Sequence, residues 1–576
     1  MDIQHYYKLL FPNDTVKASK LTKRVHREKY KNCPIWPTDV FAFCGSIIEK
    51  TSLLQPEFLT STQKSQLQPE KIHEISKAWQ TGIFPPIEVV KSWEAIYQNR
   101  KTKILDIEKD IDIQFHLHFL LRCADSTSAG LGWRPSTRSF FNISAFLCLA
   151  LATSPSPKIK KLQKMLSSIL PNSNLPNSFC LMIPQDRVIV TPKSVTAQIG
   201  HTFRSLSHNL ALIDAKPKLE FSWHYVQKEN EDEHFHILLI PYPFKISAKA
   251  IRPVSPPTKY GENGQKYGYF TLHPDWLPSV DNSIDTKEIS TKQAEKIFSE
   301  LVLPLLKKSE THCDIDCILF PECSLTEAVA DKLAELILTS EETKKIRLLI
   351  TGALAIQKDE KSFNKAISYF IFSSEVIKHD HTKHHRWKLD VNQIKKYGFS
   401  SFPADHNTDW WEYINVSKRK LPFYAVSPHS SITVLVCEDL ARNDPAMPTV
   451  RAIGPNLIIA LLMDGPQITG RWPAKYAGVL SEDPGSSVLS VTSVAMVDRS
   501  NKLESAPKRS VALWQRPGGR TQSIDLPQDS YGLVLSLATT TVEQVTMSQV
   551  VDECNTRCYE LMGVEPLKLE KSVDWL

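Results

Sequence analysis

Two apolar, strand-like runs in this sequence end at residues that could do chemistry. The run "ILFPE" reaches Pro321 and then the carboxylate of Glu322, and the run "ITVLVCED" ends at the thiol of Cys437. A thiol becomes a nucleophile when a neighbouring base removes its proton, and a carboxylate can be that base. Taken singly, each residue has an ordinary structural interpretation, because surface glutamates and buried cysteines are both common. The pair becomes informative only if the fold brings the two strand ends together.

A histidine-rich segment, "KHDHTKHHRWKLD", lies between these two runs and contains Lys383 and Lys388. Histidines this dense raise the hypothesis of a metal site. No carboxylate or cysteine follows at a recognised ligand spacing, so we predict no metal here. The alternative is that one lysine supplies a fixed positive charge that stabilises an anionic transition state. The histidines in question are His379, His381, His384 and His385.

The elements that must position these residues alternate in type along the second part of the chain. From about residue 231, apolar runs typical of strands, such as "KKIRLLITGAL" and "GPNLIIALLMDG", alternate with amphipathic helical segments such as "LTEAVADKLAELILTS". This alternation predicts an α/β domain with both faces of its sheet covered. In such folds chemistry gathers at the carboxyl ends of strands. Glu322 and Cys437 both take that position.

The remaining chain organises around this α/β region. With 576 residues the chain is too long for one ordinary core. Apolar residues at helical spacing predict a mainly helical N-terminal domain over 1–185. We place a connecting segment at 186–230, the catalytic domain at 231–545 and a C-terminal extension at 546–576.

A basic stretch, "TVKASKLTKRVHREKYK", lies within the helical domain. It is either a solvated helix face or a surface for nucleic acid or an acidic partner. Because aromatic residues are not interleaved with its charges, we favour the solvated face.

Composition narrows the class of protein further. Hydrophobic residues make up 42% and charged residues 23%, as in a globular protein, and the net charge of +6 does not by itself imply nucleic acid. No apolar leader opens the chain, and its longest apolar runs are too short to span a bilayer. The 11 cysteines include no C-x-x-C pair. An odd number of scattered thiols predicts a reducing compartment, and therefore a cytoplasmic protein with no contact to a membrane.

Three motifs in this order resemble the nitrilase (carbon–nitrogen hydrolase) superfamily: glutamate after proline in "FPE", lysine in K-x-H, and cysteine in C-x-D. The resemblance covers roughly residues 231–545. It implies an α/β fold, a nitrilase-like α-β-β-α four-layer sandwich, that carries a triad of Glu322, Lys383 and Cys437. Lys388 competes for the lysine role. We prefer Lys383 because K-x-H is the family's local pattern and because its offset from Asn364 is closer to that of the family.

The same resemblance assigns the neighbouring residues. In "WWEYI", Glu412 takes the place of a second active-site glutamate that orients the lysine or the substrate amine. The backbone N–H of Glu438 would join Lys383 in stabilising the oxyanion, and Asp439 would hold the turn in shape. The implied enzyme is a carbon–nitrogen hydrolase of amidase or nitrilase type, a thiol amidohydrolase without cofactor. It would act on a small-molecule amide, carbamoyl or nitrile substrate, as a homo-oligomer.

Two features keep a second interpretation open. The family pattern continues to Pro-Glu shortly after its aspartate, whereas this chain continues "LARNDP". In addition, three segments of the chain together resemble large bacterial proteins that bear a nitrilase-like domain. These segments are "WPTDVFAF", "LRCADSTSAGLGW" and "RWPAKYAGVLSEDPGSSVLSVTS". Such domains also occur beside reverse transcriptases in antiphage defence systems. The alternative is therefore a non-catalytic nitrilase-fold scaffold in a defence complex, with a reverse transcriptase or nucleic acid as partner.

Overall fold

A computed structural model gives the fold of the chain. It describes all residues except 16–29, 52, 55–58, 83, 132–177, 198–199, 201, 215–218, 226–233, 260–263, 281–284, 311–312, 357–360, 404–406, 428, 503–504, 547–550 and 552–555. Most of the basic stretch at 15–31 lies outside the described residues, so its role stays a prediction. Among the described residues, no helix is long and apolar enough to cross a bilayer.

The described part of the first 131 residues is helical, as its apolar spacing predicts. Aromatic side chains fill its core: the Tyr7 ring lies 4.4 Å from that of Phe43 and 5.4 Å from that of Trp93, centroid to centroid. The α-helices are Ile3–Leu10, Pro37–Thr51, Ser61–Gln66, Pro69–Thr81, Ile87–Gln98 and Ile111–Thr127, with a 3-10 helix at Ile104–Lys109.

The described strands follow this helical region and lie between residues 188 and 567. In chain order, β1 to β22 are Val188–Pro192, Leu210–Asp214, Glu220–Tyr225, His234–Leu239, Ile251–Pro253, Thr258–Lys259, Lys266–Leu272, Cys317–Leu319, Leu325–Thr326, Leu348–Ala355, Phe363–Ile371, Val376–Thr382, Lys388–Leu389, Thr408–Glu412, Lys420–Ser427, Ser430–Val436, Leu457–Leu462, Ser487–Thr492, Ser510–Gln515, Gln522–Asp525, Gly532–Val542 and Thr556–Leu567.

Within the described residues these strands form two large sheets. The eight-stranded sheet has the order β12-β11-β10-β8-β4-β21-β22, with β9 paired to β10. The seven-stranded sheet has the order β20-β19-β18-β17-β16-β15-β3. Two of these strands come from segments outside the predicted catalytic range: β3 from the connecting segment and β22 from the C-terminal extension. Each is an edge strand of a large sheet. The division of the chain into domains itself stays a prediction.

The other described strands form two smaller sheets. A five-stranded sheet, called the small sheet below, has the order β13-β14-β7-β5, with β6 paired to β7. Strands β1 and β2 pair with each other.

Helices connect the strands of the second part of the chain, as the alternating pattern predicts. The run "STKQAEKIFSELVLPLLKKS" is helical throughout but passes through a π-helical turn at Phe298–Val302. The α-helices of this part are Thr286–Ile297, Leu303–Ser309, Glu327–Thr339, Val391–Tyr397, Ala446–Ile453, Trp472–Glu482 and Val494–Asn501.

The hydrophobic core lies on both faces of the eight-stranded sheet. Successive strand residues point to opposite faces. In β8, Leu319 belongs to a cluster that also contains Val434 and Ile459 of the seven-stranded sheet. Its neighbour Ile318 belongs to a second cluster, which includes Leu333 of the helix Glu327–Thr339. The architecture is therefore mixed α/β, with the two large sheets sharing one core.

Candidate active site

Glu322 follows the carboxyl end of β8. Pro321 has no N–H to continue the strand ladder, so the chain leaves the sheet there. Strand β10 passes close behind: the N–H of Gly352 donates to the carbonyl of Pro321 at 3.1 Å. A Cβ at Gly352 would lie 2.4 Å from the Cα of Glu322, so only glycine permits this approach. Glu322 is thereby held in the interior, with 3% of its surface exposed.

Lys383 is the residue directly after β12, and it meets Glu322. Its ammonium Nζ donates to Oε1 of Glu322 at 2.9 Å and to Oε2 of Glu412 at 2.9 Å. All three side chains are almost completely buried. Lys388, the competing lysine, is about half exposed and pairs with Asp409 at 2.9 Å. The structure therefore brings Lys383, and not Lys388, to the glutamate.

The second glutamate, Glu412, is the last residue of β14 in the small sheet, and its carboxylate is fully occupied. Oε2 accepts from Lys383 and from the backbone N–H of Trp387, the latter at 3.1 Å. Oε1 accepts from the side-chain amide of Asn364 at 2.9 Å. With three donors on two oxygens, Glu412 is placed to hold Lys383 rather than to contact a substrate.

Asn364 on β11 bridges the two glutamates. Its amide Nδ2 donates to Glu412 and also to Oε1 of Glu322 at 2.8 Å. Its backbone carbonyl accepts a hydrogen bond from the N–H of Lys383 at 2.8 Å, which fixes the start of the loop that follows β12 and carries Lys383. In the sequence, Asn364 serves only as the reference point for the offset of Lys383. A polar residue at a buried position of "FNKAISY" is the signal that could have identified it as part of the site.

The two oxygens of Glu322 are in different situations. Oε1 accepts from both Lys383 and Asn364, whereas Oε2 is buried and has no hydrogen-bond partner in the structure. A buried oxygen without a donor is rare, because removing a polar atom from water without a partner costs about 1–3 kcal/mol. This oxygen is available to accept a proton.

Cys437 lies at the end of β16, with a strained backbone. Its φ is +47°, in the left-handed region that side chains other than glycine seldom adopt, and such strain recurs at functional sites. The residues Cys437–Leu440 form a 3-10 helix, and the next α-helix begins only at Ala446. The chain therefore does not pass from the cysteine directly into an α-helix. Pro445 explains this, since the residue before a proline is disfavoured in the α conformation.

The electrostatic environment of Cys437 keeps its thiol protonated. Burial raises the pKa of Cys437 well above its usual value, and the nearby carboxylate of Glu322 raises it further. Lys383 opposes both effects, as does a hydrogen bond from the backbone N–H of Met463, but the net direction stays upward. Lys383 thus favours the thiolate, but burial and Glu322 outweigh its effect on the pKa of Cys437. This thiol needs a base.

The charges of Glu322 and Lys383 follow from their burial and from each other. Burial raises the pKa of Glu322, and the charge of Glu412 adds to this rise. The charge of Lys383 and the hydrogen bonds that Lys383 and Asn364 donate to Glu322 oppose it. Burial alone would lower the pKa of Lys383, but the two glutamates and Cys437 raise it well above its usual value. Lys383 is therefore cationic at neutral pH, and Glu322 binds a proton more readily than an ordinary glutamate.

The two residues after the cysteine have separate surroundings. Glu438 is partly exposed, and its carboxylate accepts from Arg442 at 2.7 Å. Asp439 is buried and accepts from the backbone N–H of His384 at 2.9 Å and from Nδ1 of His385 at 2.8 Å. Asp439 thus ties the cysteine turn to the loop that carries Lys383.

The remaining histidines take structural positions. The ring of His379 stacks on that of His224 with 3.6 Å between centroids, and burial lowers the pKa of His381 to about 4. Among the described residues, no three His, Cys, Asp or Glu side chains are grouped as the ligands of a metal ion would be.

Comparison with known proteins gives weak similarities only. No family model matches the sequence, and no curated protein matches it. Among solved structures, glutamine-dependent NAD+ synthetase from Acinetobacter baumannii is 12% identical with a TM-score of 0.30, and the match covers 58% of this chain and 49% of that one. The chain thus spans about half the length of that synthetase.

Two further solved structures belong to the nitrilase superfamily. An amidase from Nesterenkonia AN1 is 10% identical with a TM-score of 0.28, over 51% of this chain and 89% of that one. Nit3 from Saccharomyces cerevisiae, a member of branch 10 of the superfamily, is 13% identical with a TM-score of 0.27, over 51% and 86% of the two chains. At these scores the chemistry of the site has to be inferred from its own geometry.

Proposed function

We propose that the chain is a thiol amidohydrolase that cleaves a non-peptide carbon–nitrogen bond of a small amide, carbamoyl or nitrile substrate. Glu322 would act as the base, Cys437 as the nucleophile and Lys383 as the oxyanion stabiliser. The unpartnered Oε2 of Glu322 carries this proposal, because the carboxylate to which it belongs acts electrostatically on the thiol of Cys437, a residue with a strained backbone. We propose that this site sits in a nitrilase-like four-layer sandwich, a proposal that the core shared by the two large sheets supports.

The first half of the reaction forms a thioester. Oε2 of Glu322 takes the proton from Sγ of Cys437 as sulfur attacks the carbonyl carbon of the amide. The carbonyl π-electrons move to oxygen and give a tetrahedral oxyanion. An ammonium has three donors, and two of those on Lys383 already point to carboxylates. The third, together with the backbone N–H of Glu438, would stabilise the oxyanion.

The second half releases both products. When the tetrahedral species collapses, the carbon–nitrogen bond breaks, and protonated Glu322 gives its proton to the departing nitrogen. Glu322 then removes a proton from water, whose oxygen attacks the thioester carbon. As the carbon–sulfur bond breaks, Glu322 returns the proton to sulfur and the free acid leaves. Lys383, Glu322 and Glu412 would keep their positions throughout, since Lys383 and Asn364 each donate hydrogen bonds to both carboxylates.

A second candidate function is a non-catalytic scaffold with a nitrilase-like fold. One observation favours it: the site is nearly closed, with 4% of Cys437 and 1% of Lys383 exposed. A scaffold of this kind would keep the buried ion pairs for folding only, and its thiol would not react with an electrophile.

A labelling experiment separates the two functions. Chloroacetamide combines an amide with an electrophilic carbon, and mass spectrometry of peptides locates the alkylated thiol. If the site is catalytic, buried Cys437 reacts before the more exposed Cys313, which serves as the internal control. If Cys313 reacts first and Cys437 stays unlabelled, the site is not catalytic and the scaffold is the better interpretation.

A further inference from the structure

The outer face of the small sheet carries aromatic side chains instead of the usual small polar ones. Along β7, Gly268, Phe270 and Leu272 are buried, and the alternate residues Tyr267 and Tyr269 are partly exposed. A Cβ at Gly268 would lie 2.4 Å from the ring of buried Trp410, which fills the inner face. The two tyrosines therefore point to the opposite side, towards solvent.

The neighbouring strand continues this row of aromatic rings. Strand β14 pairs in parallel with β7, and Trp411 lies opposite Tyr269. The N–H of Tyr413 donates to the carbonyl of Phe270 at 2.7 Å, which keeps the residue after β14 on the sheet. Trp411 and Tyr413 are partly exposed. We call the four residues Tyr267, Tyr269, Trp411 and Tyr413 the aromatic face.

The rings of the aromatic face touch one another edge to face. Tyr267 and Tyr269 are 6.1 Å apart between centroids at an interplanar angle of 86°. Tyr269 and Tyr413 are 5.5 Å apart at 61°. These contacts hold the rings in place, and a planar ligand would stack on the ring faces that they leave uncovered.

Positive charges stand over these rings. The guanidinium of Arg386 lies 5.5 Å from the centroid of Tyr269. The ammonium of Lys361 lies 5.6 Å from Tyr413, and that of Lys388 lies 5.8 Å from Trp411. All three are within cation–π range. The surface thus interleaves cations with aromatic rings.

Two of the five residues of β14 are acidic. Asp409 lies on the same side, and it pairs with Lys388 at 2.9 Å. Glu412 is on the other side of the strand, buried among the site residues. The charge of the aromatic face therefore complements a polyanion.

We infer that the aromatic face binds single-stranded nucleic acid, with bases stacked on the tyrosine and tryptophan rings and phosphates near the lysines. Stacking of bases on aromatic side chains is tolerant of sequence and requires unpaired bases, while the cations attract the backbone. This inference concerns the opposite face of β14 from Glu412 and does not depend on the proposed hydrolase activity.

Fluorescence anisotropy of the full chain tests this inference. The probes are fluorescein-labelled single strands of oligo(dT) and oligo(U), about 12 nucleotides long, and a DNA duplex of the same length. We expect binding of a single strand at about 50 mM salt that weakens steeply at higher salt. The duplex should bind more weakly, because its bases are not free to stack. The stronger of the two single strands identifies the natural polymer.

Variants decide whether the rings act by stacking. Tyr269→Ala and Tyr413→Ala should each weaken binding roughly tenfold or more, whereas Tyr269→Phe and Tyr413→Phe should bind like the wild type. Lys361→Gln should reduce the slope of log affinity against log salt by about one. The matched controls are Tyr476→Ala, an exposed tyrosine on the helix Trp472–Glu482, and Lys345→Gln, an exposed lysine, and both should leave binding unchanged.

Three results would overturn the inference. The first is the absence of single-strand binding by the wild type at low salt. The second is equal affinity for the duplex, and the third is binding that survives both tyrosine-to-alanine changes. Because the phenylalanine variants remove only a hydroxyl group and Lys361→Gln alters an exposed side chain, their results remain interpretable even if an alanine variant folds poorly.

Discussion

Asp39 in the helical N-terminal region and Glu322 at the strand ends are both buried carboxylates, yet their oxygens are satisfied differently. The carboxylate of Asp39 accepts backbone N–H groups from three successive residues, 181 to 183, at 3.0–3.3 Å, and both of its oxygens take part. In Glu322, one oxygen carries two donors and the other carries none. Asp39 therefore joins its helix to residues 181–183 through hydrogen bonds, whereas one oxygen of Glu322 accepts no hydrogen bond.

The comparison shows that a displaced pKa alone does not identify a catalytic carboxylate. Burial raises the pKa of Asp39 to about 7 even though its three N–H donors oppose the rise. Burial raises the pKa of Glu322 as well. What differs is the geometry, since only Glu322 combines a free oxygen with a thiol and a lysine nearby. The same distinction separates Glu412, whose oxygens are filled, from Glu322.

The largest expected effect follows from removing the cation of the site. Lys383→Met would leave the carboxylates of Glu322 and Glu412 buried without a partner charge, and breaking a buried ion pair in this way costs about 3–5 kcal/mol. We therefore expect the free energy of unfolding, measured by chemical denaturation, to fall by that amount. Lys388→Met is the matched control and should change it by less than about 0.5 kcal/mol, because Lys388 is half exposed.

A second substitution within the same site sharpens this result. If unpaired negative charge is the cause, adding Glu412→Gln to Lys383→Met should restore part of the lost stability. A Lys383→Met protein as stable as the Lys388→Met protein would show that the buried ion pairs do not hold the site together.

A smaller effect is expected at the structural carboxylate. Asp39→Asn keeps one acceptor oxygen but turns an NH₂ group towards backbone N–H donors, so at least one buried donor loses its partner. Such a loss costs about 1–3 kcal/mol in the free energy of unfolding. Chloroacetamide labelling of Cys437 should be unchanged, because Asp39 lies in the helical region. A large drop in labelling with intact stability would mean that the two regions do not play separate roles.

The smallest predicted effect concerns pH and a buried histidine of the helical region. Burial lowers the pKa of His118 to about 3, with Arg122 adding to the effect and the hydrogen bond to the carbonyl of Leu53 opposing it. Because the folded pKa lies below the unfolded value near 6.5, the unfolded state binds more protons between these values. The free energy of unfolding is therefore highest above about pH 6.5, where His118 is neutral in both states. It decreases as pH falls, by about 1 kcal/mol at pH 5.5.

Comparing the wild type with His118→Gln checks this prediction. The variant has no titrating group at this position. The slope of its unfolding free energy against pH, between about pH 5 and 6.5, should therefore be smaller by nearly the contribution of one bound proton. Identical slopes in the two proteins would assign the acid sensitivity to other groups.

The sequence predicts the ends of the strands better than it predicts what surrounds them. Short apolar runs closed by Pro321 or by the acidic pair after Cys437 locate two side chains at strand ends, because period-2 burial and proline are local signals. Lys383 was preferred over Lys388 through resemblance to a family, and the structure places Lys383 beside Glu322. The catalytic roles of these residues stay a proposal.

Other features depend on long-range pairing that no local pattern reports. Glu412 reaches the site on the small sheet, whose strands come from distant parts of the chain. The aromatic face exists only because β7 and β14 pair in parallel register. The pairing of β22 with β21 likewise depends on tertiary packing, and it carries residues of the predicted C-terminal extension into the eight-stranded sheet.

The central claim, that Glu322 is the base for Cys437, is tested most directly by the pH dependence of Cys437 alkylation in the wild type and in Glu322→Gln. The two roles open to Glu322 predict opposite outcomes. As a mere negative charge it raises the pKa of the thiol, so its removal would speed labelling. As a base, its removal slows labelling at pH 7 by roughly 10²-fold or more and moves the reaction to higher pH. We predict the slower reaction, and a Glu322→Gln protein that labels as fast as the wild type, or faster, would contradict the account.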